Sequence, residues 1–165
     1  MRIVITDANV LINLAIAEGL HLLRDLPEHE FVLPEEVLGE ITNEFQRRKV
    51  ESALADGFLS VVRLEAIEGL ELFAELRNVM GAGEASCLAL AKGNGWIIAS
   101  DEKGAFRREA SRIVGAANIM TTVDIYLLSI RSGLITVEEA DAAKALLAAN
   151  RFAMPFGSFN ELLGA

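Results

Sequence analysis

Residues 2–7 read RIVITD, and residues 96–101 read WIIASD. Each is a short apolar run that ends on an aspartate. Alternation of polar and apolar residues is missing, so both faces of each segment are apolar. That is the pattern of a strand buried in a parallel sheet with helices on either side. Working outward, Phe31–Leu33 is a further strand stopped by Pro34, Leu59–Leu64 another, and Asn118–Thr121 a weak fifth. Helical spacing covers 9–18, 20–26, 35–55, 66–80, 84–92, 102–114 and 123–132. Thr136, with Glu139 three residues on, is a capping box that opens a helix running to Ala149. Ser158 and Glu161 are placed to cap one last turn.

Strands that alternate with helices predict one three-layer α/β/α domain over residues 1–165, built on a parallel sheet of about five strands. Residues 134–165 are expected as a helical extension packed on it. The chain has 165 residues, which suits a single core. It contains three prolines and no linker-like or repetitive stretch. The lone cysteine, Cys87, lies in the apolar run Ala85–Ala91 and reads as a buried thiol. Asp7 and Asn9 interrupt the apolar N-terminus before a signal-peptide core forms. No uninterrupted apolar run is long enough to span a bilayer, so the expectation is a cytoplasmic protein without membrane contact. The net charge of −9 argues against nucleic-acid binding through a broad basic surface. It leaves room for a carboxylate cluster that works through a bound cation.

In open parallel sheets the ligand site lies beyond the carboxyl ends of the strands, where strand order reverses. Asp7 and Asp101 both fall there. If their strands are neighbours, the two carboxylates come within reach of one cation such as magnesium. Either residue alone could equally be a helix N-cap. Glu84 opens a helix after Gly81-Ala82-Gly83. It is either a favourable charge on that helix dipole or, in line with Leu88 and Ala91, a carboxylate aimed at the sheet edge. Glu40 and Glu44 flank the track of Val37, Ile41 and Phe45, as rim charges or as the lining of a cleft. Other motifs fail. Asn9 stands where a phosphoaspartyl phosphatase needs a second aspartate, LSVVRL lacks the aspartate of a receiver domain, and His21 and His29 have no zinc-ligand spacing.

Thr6-Asp7-Ala8-Asn9-Val10-Leu11, Pro34–Ile41, Gly83-Glu84-Ala85 with Leu88-Ala89, and Ile97–Asp101 with a basic helix after it occur in that order over about residues 1–125. Together they resemble the PIN-domain ribonucleases, of the type found as toxins in VapC-type toxin–antitoxin pairs. The resemblance implies a metal-dependent endoribonuclease acting on RNA with Mg2+ or Mn2+. It also implies an antitoxin partner and a homodimer. Its four acids fall on Asp7, Glu40, Glu84 and Asp101, with Asp7, Glu84 and Asp101 holding metal. Asn9 matches a small polar position that supports the first aspartate. Glu102 follows Asp101 as either a second acid of the pair or a first-turn helix charge, and Asp101 is favoured because it directly follows the strand. Lys103, Arg107 and Arg108, like Arg47-Arg48-Lys49, are candidates to guide the nucleic-acid backbone or simply to face solvent. The alternative reading is a PIN-like domain that binds a protein partner and no longer cuts, with the apolar segment 123–163, including Phe152, Phe156 and Phe159, as its contact surface.

Overall fold

The computed structural model describes residues 1–164. Among them, five strands form one parallel sheet. They are β1 Arg2–Thr6, β2 His29–Pro34, β3 Ser60–Val62, β4 Ile97–Ala99 and β5 Ile119–Met120, in the order β3-β2-β1-β4-β5. The chain therefore builds outward from β1 to β3, crosses back, and continues from β4 to β5. The reversal falls between β1 and β4, where Thr6 lies opposite Ala99. Val4, Ile5, Leu33 and Ile98 are fully buried, as strands covered on both faces require.

The helices are α1 Ala8–Ile16, α2 Leu22–Asp25, α3 Glu35–Glu40, α4 Glu44–Ala55, α5 Ile67–Leu76, α6 Ala82–Asn94, α7 Gly104–Ile113, α8 Thr122–Arg131, α9 Val137–Ala149 and α10 Asn160–Leu163. Right-handed crossovers put α1 and α4 on one face, and α5, α6 and α7 on the other. Accordingly, α1 packs against α4, α8 and α9, and α6 packs against α5 and α7. Helix α6 lies directly on the sheet and is buried from Ala85 to Ala91, Cys87 included. This is why its sequence is small and apolar on every side. Its N-terminus points to the carboxyl edge of the sheet.

Two departures from the sequence pattern matter for the site. The helix expected over 35–55 is broken. Ile41 leaves helical geometry (φ −83°, ψ 89°) with its side chain buried, and Asn43 caps α4 by accepting from the Gln46 N–H at 3.1 Å. Thr and Asn are weak helix-interior residues and Asn is a strong N-cap, so the break costs little. It leaves Glu40 at the end of α3 and turns Phe45 out to 60% exposure. The helix expected from 102 begins at Gly104, whose φ of 60° ends the preceding loop. Asp101 and Glu102 thus sit on a loop rather than in a helical turn.

The chain after β5 folds back on the α1 face. The Thr136–Glu139 capping box is formed at the start of α9. Asp141 accepts from the Ser158 hydroxyl and the Phe159 N–H at 2.6 and 2.9 Å. Both bonds hold its carboxyl below the usual range, with Lys144 adding to the effect. Phe159 is fully buried, against Tyr126 and edge-on to Phe156.

Candidate active site

The carboxyl ends of β1 and β4 open into a cleft of about 370 Å³ whose lining includes Asp7, Asn9, Glu40, Gly81, Glu84 and Glu102. Asp7 follows β1 in extended geometry and caps α1: its Oδ1 accepts from the Ala8 N–H at 2.8 Å. Its Oδ2 accepts from the Ser100 hydroxyl at 3.1 Å and from Asn9 Nδ2 at 3.2 Å. The capping and cleft readings of Asp7 therefore describe one geometry. The residue is only 3% exposed. Burial outweighs the Ala8 and Ser100 bonds, and the Glu84 and Glu40 charges add to it, pushing its pKa up to about 6.

Asn9 ties the site together. Its Nδ2 donates to both Asp7 and Glu102 Oε1 (3.1 Å), and its Oδ1 accepts from the Asp101 N–H at 3.1 Å. Glu40 accepts from the Gly83 N–H at 2.8 Å, and Glu84 from the Gly81 N–H at 3.2 Å, both at the first turn of α6. Burial raises the Glu84 carboxyl, with Glu102 and Glu40 adding to the effect against the Gly81 bond. Among the described residues, none of these four acids is paired with a lysine or arginine.

The cleft thus gathers Asp7, Glu40 and Glu84 but does not receive the side chain of Asp101. β1 and β4 are neighbours, as a shared site requires. Yet Asp101 turns toward α8, accepting from the Thr122 N–H at 2.8 Å, the Thr122 hydroxyl, and Asn13 Nδ2 at 2.9 Å. The next residue, Glu102, takes the cleft position. Ser100, Asn13 and Thr122 complete this arrangement, and none was singled out by sequence. Ser100 donates to Asp7 and accepts from the Glu102 N–H, linking both sides of the cleft.

A family profile described as PIN domain matches residues 3–160. The chain belongs to the PIN-domain family. No curated protein matches it. PIN domains are in general nucleases, and they typically work with divalent metals.

In this PIN domain, no three His, Cys, Asp or Glu side chains among the described residues converge closely enough to enclose a bare ion. The donor set still fits a hydrated hard cation. It consists of carboxylate oxygens without a cationic partner, one of them buried and held at a raised pKa. Mg2+ keeps several waters and is bound through one or two carboxylates, which this geometry can provide. On the flank, Lys103, Arg107 and Arg108 take part in no ion pair among the described residues. In contrast, Arg47, Arg48 and Lys49 pair with Glu51, Glu44 and Glu18. No described helix is long and apolar enough to cross a membrane.

Proposed function

We propose that this PIN domain is a divalent-metal-dependent endoribonuclease that hydrolyses RNA phosphodiester bonds with Mg2+ or Mn2+. The carrying observation is the unpaired set of Asp7, Glu40, Glu84 and Glu102 around one cleft at the strand-order reversal. A hard divalent ion bound there would acidify a water and neutralise charge on the phosphate oxygens. Asp7 and Glu84 are the principal holders in this reading, with Glu40 and Glu102 orienting the surrounding waters. Asn9 fixes the Asp7 and Glu102 carboxylates relative to each other. Asp101 acts as a positioning residue, fastening the catalytic loop to α8 through Thr122. Lys103, Arg107 and Arg108 attract the RNA backbone beside a cleft that would otherwise repel it. The family resemblance extends the proposal to the toxin of a toxin–antitoxin pair, with an antitoxin partner, a homodimer and a cytoplasmic setting. Residues 134–165 serve as an extension packed on the catalytic domain, Ala165 lying outside the described residues.

The competing protein-binding reading loses its main support, because Phe159 is consumed in the core and Phe156 packs on it. The test is cleavage of labelled RNA and DNA oligonucleotides with Mg2+, Mn2+ or chelator. Wild type is expected to cut RNA only with metal, and Asp7→Asn to lose at least about 100-fold in rate. Cleavage that survives chelation, or an Asp7→Asn variant as fast as wild type, overturns the proposal.

A further inference from the structure

We propose that Gly83 is a positioning residue whose missing side chain and backbone N–H together seat the Glu40 carboxylate in the cleft. The inference rests on the reading of that cleft as the metal site. Gly83 occupies the first turn of α6 and is buried. Its backbone is not in the left-handed region, so no conformational need for glycine exists there. Alanine would be the better helix former by about 1 kcal/mol. What glycine provides is space. A Cβ at 83 would collide with Glu40 Oε2 and lie 2.8 Å from its Cδ and 2.9 Å from its Oε1. All three nearest atoms belong to the Glu40 carboxylate. Neighbouring Gly81 imposes no such demand, since a Cβ there would stand 4.0 Å from Glu40 and Glu84 oxygens.

The same residue supplies the attachment, as its N–H donates to Glu40 Oε1 at 2.8 Å. Glu40 has no cationic partner among the described residues and stands at the end of α3, where the chain leaves helical geometry. The seat on α6 is therefore its only side-chain anchor among the described residues. A methyl group at 83 would evict the carboxylate and leave the helix intact, because the atoms in the way are the far end of a flexible side chain. Gly83 thus selects where the α3 acid points, and through it the charge presented to a metal beside Asp7 and Glu84.

The experiment is a double-mutant cycle of Gly83→Ala and Glu40→Ala on the full chain. It is read by Mn2+ binding (calorimetry and electron paramagnetic resonance) and by thermal unfolding without metal. Gly83→Ala is expected to weaken Mn2+ binding on the order of 10–100-fold, as loss of a ligand-orienting contact does, with no loss of metal-free stability. In the Glu40→Ala background the same change should leave Mn2+ affinity unaltered. Undiminished Mn2+ binding by Gly83→Ala, or an equal loss in both backgrounds, refutes the positioning role. So does a fold lost in both backgrounds, since Gly83 would then be structural. A wild type that binds no Mn2+ overturns the metal-site reading together with this inference. Wild-type binding with an unaffected Gly83→Ala variant overturns this inference alone.

Discussion

Asp7→Asn is expected to stabilise the metal-free protein at neutral and alkaline pH. The Asp7 carboxyl is raised from its ordinary 3.8 to about 6, chiefly by burial. An acid whose folded pKa is raised binds its proton more tightly in the native state. Its contribution to stability is thus fully present below the unfolded value near 3.8 and is lost as pH climbs through about 6. The full gap corresponds to about 3 kcal/mol at pH 8. Asparagine keeps an acceptor for the Ala8 N–H and can still meet Ser100, so most of that gap should be recovered, about 1–3 kcal/mol. In a chain of this size each kcal/mol moves Tm by about 2–4 °C, so the variant should melt roughly 2–12 °C higher at pH 8. The difference should fade toward pH 4, where wild-type Asp7 is protonated. Thermal denaturation in chelator across that range measures it. Excess Mg2+ should then raise wild-type Tm and leave the variant unmoved. A variant less stable than wild type by the same amount at every pH would refute the reasoning, because Asp7 would then be held by net favourable contacts rather than against its own desolvation.

Asp101 and Glu102 should separate cleanly. Asp101→Ala orphans the Thr122 N–H and hydroxyl and Asn13, and is expected to cost about 2–4 kcal/mol in a denaturant titration. Glu102→Gln, on an exposed side chain, should stay within about 0.5 kcal/mol of wild type while weakening metal-dependent cleavage. The Tyr126 hydroxyl is buried without a hydrogen-bond partner among the described residues, and burial pushes its pKa to about 12. Tyr126→Phe should be neutral or stabilising by up to about 1 kcal/mol. It should also rescue Gly19→Ala, whose Cβ would otherwise stand 2.8 Å from that hydroxyl, as denaturant midpoints of the two single variants and the double variant would show.

The sheet and the first acid were legible because both depend on local pattern. RIVIT and WIIAS are apolar on both faces, and an aspartate directly after such a strand lands at the carboxyl edge whatever the rest of the chain does. The choice between Asp101 and Glu102 was not legible in that way. It turns on where α7 starts, which Gly104 sets, and on a bond to Thr122 twenty-one residues away that no local spacing encodes. Glu40 was hidden for a related reason. Val37, Ile41 and Phe45 imitate one continuous helical stripe. Burial of Ile41 and capping by Asn43 break that stripe, releasing Glu40 from the flank of a long helix to reach α6. Resemblance to a family pointed to Glu40 where periodicity could not.

The way the cleft holds its acids separates it from a structural ion-pair network. Asp7 is anchored by the first N–H of α1, and Glu40 and Glu84 by the first turn of α6, so two helix N-termini supply the positive ends. Backbone dipoles fix the carboxylates in place but carry only partial charge, and Asp7 and Glu84 remain raised despite them. A lysine or arginine would have cancelled the excess and occupied the oxygen lone pairs permanently. Uncharged amide and hydroxyl donors instead leave the charge unbalanced. The shortfall is relieved only by protons at low pH or by a cation at neutral pH. In the proposed reading, the geometry that lowers the stability of the folded chain at neutral pH is therefore the one that would give a divalent ion its binding energy. A chain of net charge −9 would then meet a phosphate through that ion and through Lys103, Arg107 and Arg108, which take part in no ion pair among the described residues, rather than through its surface as a whole.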